Sequence, residues 1–176
     1  MGGKNRHLKG KMNTIIAPVR GNHVVSAGDF MVLSAVSGML GVGDLADNYA
    51  APFSELKTPA ASGTLATQGF AYTYFLGVAM EDSPSGVTEN ITIAKSGVFR
   101  YPLHSSFLGA GVTVGSLVSA VSNNLAAGVS PQTIAIGAAS IITSTAYLGY
   151  IIKSESGASF VDFQLRTAYG PGGRAT

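Results

Sequence analysis

The chain has 176 residues, of which 46% are hydrophobic and 11% are charged, and it contains neither cysteine nor tryptophan. The lack of cysteine excludes disulfides, thiolate zinc sites and thiol nucleophiles. Average soluble domains carry about a quarter charged residues, so this chain must cover its surface with Ser, Thr, Asn and Gly. Its length fits one compact domain.

The basic residues are concentrated near the N-terminus, although the formal net charge is only +2. Those that precede the first acid, Asp29, are Lys4, Arg6, Lys9, Lys11 and Arg20. Because the segment also contains several glycines, it predicts a flexible basic arm over residues 1–23 that orders on binding. It lacks the dense Arg/Lys blocks and interleaved aromatic residues of nucleic-acid arms, so we expect no nucleic-acid partner. A solvated tail and a protein-binding arm both fit its composition.

Short runs of Val, Ile, Thr, Phe and Tyr alternate with Gly, Ser, Asn and Pro, and this pattern predicts an all-β fold. The predicted strands are His23–Val25, Phe30–Val36, Phe70–Ala79, Asn90–Ala94, Val98–Tyr101, Ser116–Val121, Thr133–Ile136, Ile141–Ile152 and Ser159–Arg166. At most one short helix is expected, over Gly43–Ala51, with Asp44 as its N-cap.

A stretch without any charged side chain, Tyr101–Ile152, raises the question of a membrane span. The segment best suited to such a span, Ala135–Ile152, contains a cluster of Ser and Thr and many β-branched residues. These residues suit strands better than a helix in lipid, so we expect no membrane partner. Depletion of charge is also typical of surfaces buried between subunits.

Two pairs of segments recur in the same order along the chain. Val32–Gly43 (VLSAVSGMLGVG) matches Leu117–Gly128 (LVSAVSNNLAAG), and Phe75–Met80 (FLGVAM) matches Tyr147–Ile152 (YLGYII). A polar turn and another predicted strand follow each member of the second pair. This order predicts an internal pseudo-repeat, in which two similar halves form a single compact β-barrel or β-sandwich-like domain.

The predicted organisation therefore has three parts. They are the flexible basic arm at residues 1–23, a β domain at residues 24–167 with half-repeats at about 24–103 and 104–167, and a Gly-rich C-terminal tail at residues 168–176.

The acidic residues form no pattern typical of catalysis or metal binding. Asp44 and Asp47 lack the spacing of a calcium loop, and Glu81 and Asp82 lie in a predicted turn. The three histidines are scattered, and neither a nucleophile elbow nor a phosphate loop is present. We expect no catalytic residue, no cofactor and no metal site.

Five segments resemble, in content and order, those of the capsid decoration (cement, capsid-stabilising) proteins of tailed bacteriophages. They are VVSAGDFMVL (Val24–Leu33), FLGVAMEDSPSG (Phe75–Gly86), ITIAKSGVFRYPL (Ile91–Leu103), VTVGSLVSAV (Val112–Val121) and YLGYIIKS (Tyr147–Ser154). The resemblance covers most of Val24–Arg166. The sequence departs from the family pattern at Ser116, where Asp is usual, and in the longer connection Gly38–Gly69.

The resemblance implies a structural β-barrel protein without enzymatic activity, seated on the outside of an icosahedral head and made in the bacterial host cytoplasm. Its implied partners are the major capsid protein and further copies of itself, commonly in a homotrimer. Such a protein would stabilise the shell against internal DNA pressure. The candidate capsid-contact residues are Lys4, Arg6, Lys9, Lys11 and Arg20 of the arm.

Two alternative functions also fit the sequence. The first is a carbohydrate-binding or head-fibre, adhesin-like β module, which would use Tyr72 or Tyr74 and the Gly38–Gly69 connection as a sugar platform. The second is a self-assembling shell or tube subunit, because low surface charge would suit it equally.

Overall fold

The computed structural model describes residues 7–9, 11–34, 49–55, 74–105, 112–122, 129–136, 147–155 and 159–167. These residues contain eleven β-strands and one 3₁₀ turn, Phe53–Glu55, so the predicted all-β fold is confirmed. The strands are β1 (His7–Lys9), β2 (Thr14–Val19), β3 (Phe30–Ser34), β4 (Tyr49–Pro52), β5 (Phe75–Ala79), β6 (Glu89–Ala94), β7 (Val98–Pro102), β8 (Leu117–Ser122), β9 (Val129–Ile136), β10 (Gly149–Lys153) and β11 (Phe160–Leu165).

The first sheet is a closed barrel with the strand order β2-β4-β3-β5-β6. Neighbouring strands of the barrel are antiparallel, except for β2 and β4, which pair in parallel at Val19 and Ala50. Aliphatic side chains from alanine to methionine fill its interior, including Ala17, Met31 and Ile93. Closure leaves few unpaired edges, so the barrel is a rigid support for its loops.

The second sheet has six strands in the order β1-β7-β11-β10-β8-β9. Its last strand, β9, also approaches the end of β7, because a parallel bridge joins Leu103, just after β7, to Ile134 of β9. Strand β1 pairs with the first part of β7, at Phe99 and Val98. The edge of β7 is therefore shared between β1 and β9.

Strands β2–β6 and β7–β11 have the same topology, and we call them the first and second repeat. In each repeat the neighbour order is first, third, second, fourth and fifth strand, and the first and third strands meet in parallel. The predicted pseudo-repeat is thus visible in the strand order. The boundary between the halves lies between β6 and β7, rather than near residue 103, because the predicted division missed β2.

The turn before the second strand of each repeat is closed by the same two backbone hydrogen bonds. They are Gly28 N–H to Ala79 O and Ala79 N–H to Asp29 O in the first repeat, and Gly115 N–H to Ile151 O and Ile151 N–H to Ser116 O in the second, with N···O distances of 2.7–2.9 Å. Strand register then makes the following residues equivalent: Ala17 and Tyr101, Val19 and Leu103, Ala50 and Ile134, Ile93 and Phe163, Ala94 and Gln164, Phe75 and Tyr147, Val78 and Tyr150.

The two repeats share one core. Phe30, on the outside of the barrel, stacks on Tyr101 of the second repeat with ring centroids 4.6 Å apart. It also meets Phe163 edge-on at 6.3 Å and Phe53 at 5.5 Å. All four rings are fully buried. Because aromatic side chains bury the largest apolar areas, this cluster fixes the two repeats against each other.

Two sequence predictions are corrected here. The arm was predicted to run to residue 23, but Thr14–Val19 is barrel strand β2 and His7–Lys9 pairs with β7. The helix predicted over Gly43–Ala51 cannot include its last residues, because Tyr49–Pro52 is strand β4. The remainder of that segment lies outside the described residues, as does the predicted tail at residues 168–176.

Candidate interaction surfaces

The arm residues predicted to contact a partner do not form one cluster. Lys9 lies in β1, opposite Val98 of β7, and exposed Lys11 follows shortly after it. Arg20 lies just beyond the far end of β2, where its guanidinium stacks 4.8 Å from the centroid of the Tyr49 ring. Lys4 and Arg6 lie outside the described residues. The structure therefore groups Lys9 with Lys11, which we call the arm lysines, and separates Arg20 from them.

The backbone around the arm lysines is anchored to the turn between the two repeats. The Ser96 hydroxyl donates to the carbonyl of Lys11 (3.2 Å) and accepts from the Asn13 N–H (3.0 Å). The Lys95 N–H donates to the Asn13 carbonyl (2.7 Å). These bonds hold the segment 11–13 against the turn 95–97. The backbone of the arm lysines is therefore held against the folded domain.

A cavity of about 310 Å³ opens on the other side of the same turn. Its described lining contains the cations Lys95 and Arg166, the polar side chains of Tyr150 and Gln164, and no carboxylate. Arg166 donates to the Tyr147 hydroxyl (2.6 Å), and its guanidinium lies 5.4 Å from the centroid of that ring. The described lining residues therefore carry a net positive charge, which suits an anionic group.

A second cavity, of about 240 Å³, lies at the opposite end of β11 and is balanced in charge. Arg100 makes a two-point contact with Asp162, with N···O distances of 2.7 and 3.1 Å. This carboxylate raises the pKa of Arg100, by hydrogen bonding and then by its charge. Lys153 and Glu155 form an ion pair at 3.2 Å. With each cation paired, this cavity does not favour a charged ligand.

A buried polar junction joins the turn before β3 to the second repeat. The Asp29 carboxylate accepts hydrogen bonds from the Ser26 N–H (2.8 Å) and from the Gln132 side-chain amide (2.7 Å). Tyr101 donates its hydroxyl proton to the Gly28 carbonyl (2.5 Å). Burial raises the pKa of both Asp29 and Tyr101. Neither side chain lines the two cavities described above, so the junction is structural.

The other residues that the sequence singled out have local structural contacts. Glu81 accepts hydrogen bonds from the Thr92 backbone N–H (3.2 Å) and hydroxyl (2.8 Å), and Asp82 accepts one from the Ala27 N–H (2.7 Å). Tyr74 is half-buried and packs against the shared core. Asp44, Asp47 and Tyr72 lie outside the described residues.

The described residues hold no cluster of three His, Asp or Glu side chains suited to a metal ion. They also include no apolar helix of membrane-spanning length.

Sequence reasoning missed the cavity beside the arm lysines, because its residues come from the end of the first repeat and the end of the second. The internal repeat is the signal that could have found it, since Tyr147 and Tyr150 occupy the places of Phe75 and Val78. Comparison with known proteins gave no match: no family model matches the chain, and no curated protein matches it.

Proposed function

We propose that this protein is a decoration, or cement, protein that binds the outer surface of an assembled tailed-phage head as a homotrimer. The observation that carries the proposal is the fixed position of the arm lysines. Strand pairing and the Ser96 hydrogen bonds attach these two cations to a closed barrel and the six-stranded sheet packed on it, whose surface is otherwise poor in charge. A preorganised basic patch suits binding to another protein, because less conformational entropy is lost on association.

The mechanism follows from mass action. A protein that binds the assembled lattice, but not loose capsid subunits, stabilises the lattice by RT ln(1 + [L]/Kd), where [L] is its free concentration and Kd is its dissociation constant. Several copies bound together add their contacts through effective concentration. The barrel and the six-stranded sheet can act as one body in such contacts, because the aromatic cluster around Phe30 is packed across both repeats. The sequence resemblance to phage decoration proteins supports the same assignment and names the major capsid protein as partner.

Co-sedimentation with emptied phage heads tests the proposal. The variant Lys9→Ser/Lys11→Ser removes two exposed cations without touching the backbone bonds that hold the segment. If each cation contributes about 0.5–1 kcal/mol to binding, the double variant should bind heads roughly tenfold more weakly. Wild-type binding should also weaken as salt is raised, since exposed charges are screened.

A matched control removes a cation elsewhere. Lys153→Ser replaces an exposed lysine that is paired with Glu155 at the other cavity, and it should bind heads like the wild type. Equal binding by the double variant and the wild type would refute the role of the arm lysines. Failure of the wild-type protein to bind any head, together with binding to glycans, would replace the proposal with the carbohydrate-binding alternative.

A further inference from the structure

The outer surface of the first repeat is already used as an interface within the chain. Phe75 and Val78 of β5 are completely or almost completely buried, in the core cluster that also contains side chains of the second repeat. Phe30, on the neighbouring strand, lies between Phe75 (5.9 Å) and Tyr101 (4.6 Å). The first repeat thus packs on its neighbour through this outer surface of β3 and β5.

The equivalent surface of the second repeat is partly open. Tyr147 and Tyr150 occupy the places of Phe75 and Val78, and Tyr150 keeps 41% of its surface exposed. Gln164 occupies the place of buried Ala94 and is half-exposed. We call Tyr147, Tyr150, Gln164 and Arg166 the tyrosine surface. Tyrosine and arginine are enriched at the centres of protein interfaces, so the duplicated surface has the composition of a contact with another protein.

The charge of the tyrosine surface favours an acidic binding partner. Lys95 and Arg166 line its cavity without a carboxylate among the described lining residues. The same chain presents two exposed carboxylates, Glu81 and Asp82, after β5. Hydrogen bonds from Thr92 and Ala27 hold them in place. We call this pair the acidic turn. Opposite charges on two different patches of one chain favour contact between copies.

We propose that the tyrosine surface binds the acidic turn of a second copy of this chain. The two patches differ, so the contact is head-to-tail, and such contacts form closed rings when the rotation between copies closes. The inference rests on the homo-oligomer of the proposed function and assigns its interface. It requires no shell, so it can be tested on the isolated protein.

The test is a charge swap read out as molar mass by sedimentation equilibrium. The variants Lys95→Glu/Arg166→Glu and Glu81→Lys/Asp82→Lys each place like charges opposite one another, so each should dissociate at protein concentrations at least tenfold higher than the wild type. Combining all four substitutions restores opposite charges and should restore the oligomer. The control Lys153→Glu reverses a charge outside both patches and should leave the molar mass unchanged.

A second variant keeps the test decisive if a charge reversal disturbs folding. Tyr150→Ser removes an exposed ring without changing charge and should also weaken the oligomer, whereas Phe160→Ser, at an exposed ring on β11, should not. A monomeric wild type, an oligomer unaffected by the charge reversals, or a combined variant that stays dissociated would overturn the proposal. The failure of the wild-type protein to bind any head would overturn the proposed function instead and leave this interface standing.

Discussion

At the scale of single residues, Asp29 is the clearest case of a side chain whose environment opposes its charge. Its carboxyl is buried at the junction of the repeats, and desolvation raises its pKa although Ser26 and Gln132 donate hydrogen bonds to it. The nearby charge of Asp82 raises the pKa further. Removing a carboxylate from water costs free energy that two hydrogen bonds offset only in part.

The raised pKa makes the free energy of unfolding depend on pH. Below about pH 4, the usual pKa of an aspartate, Asp29 is protonated in both the folded and the unfolded chain, and the folded state carries no penalty. As pH rises through the higher pKa of the folded state, Asp29 releases its proton more readily in the unfolded chain than in the folded one. The free energy of unfolding therefore falls. Asp29 therefore stabilises the fold at acidic pH relative to neutral pH.

The substitution Asp29→Asn tests this sign. Asparagine can still accept the Ser26 N–H, and the Gln132 amide can turn over to accept from it. We expect the stability of the variant, measured by urea unfolding between pH 3.5 and 7, to improve relative to the wild type as pH rises. The control Glu155→Gln, at an exposed carboxylate that does not act on Asp29, should show a smaller change. A wild type that gains stability over Asp29→Asn with rising pH would contradict the assignment.

At the scale of strands, the glycines of the repeated segments FLGVAM and YLGYII have a steric role. A Cβ at Gly77 would overlap the carbonyl oxygen of Ala94 on β6, and a Cβ at Gly149 would overlap that of Gln164 on β11. The two contacts are equivalent in the repeats. A strand pair that approaches this closely admits only glycine, which explains why the aromatic-Leu-Gly step recurs.

We therefore expect Gly77→Ala and Gly149→Ala to destabilise the protein by about 1–3 kcal/mol or more through overpacking. Gly77 also has a φ of +147°, so alanine is strained there. Urea or thermal unfolding measures both effects. Gly86→Ala is the matched control, because its φ is +92° but nothing lies within 4 Å of the added Cβ. Alanine at Gly77 that costs no more than alanine at Gly86 would show that the steric contact is relaxed.

The strands also show what local patterns can predict. Eight of the eleven strands overlap predicted runs, because those runs are rich in β-branched and aromatic residues between turn residues. Strand β2 was missed because Thr14–Val19 follows a basic segment and contains Pro18. Strand β4 was missed because its Ala residues favour a helix and the preceding Asp44 suits an N-cap, whereas pairing with β3 and β2 makes Tyr49–Pro52 a strand.

At the scale of the whole molecule, the two repeats differ in the size of the side chains at equivalent buried positions. The interior positions Ala17 and Ala50 of the first repeat correspond to Tyr101 and Ile134 in the second. At these two positions the closed barrel holds small side chains, whereas the second sheet holds large ones. Phe30 of the first repeat enters that larger core. The sequence showed the duplication, but the shared core depends on contacts between distant residues that periodicity does not encode.

The shared core predicts that both repeats unfold together. Phe30 contacts rings from both repeats, so Phe30→Ala should cost about 3–5 kcal/mol. Hydrogen exchange should show this loss equally in the protected amides of β6 and β11, because neither repeat keeps its core when the other opens. Phe160→Ser, at a ring that is 45% exposed, is the control and should change both by little. A loss confined to the amides of one repeat would mean that the two repeats are independent folding units.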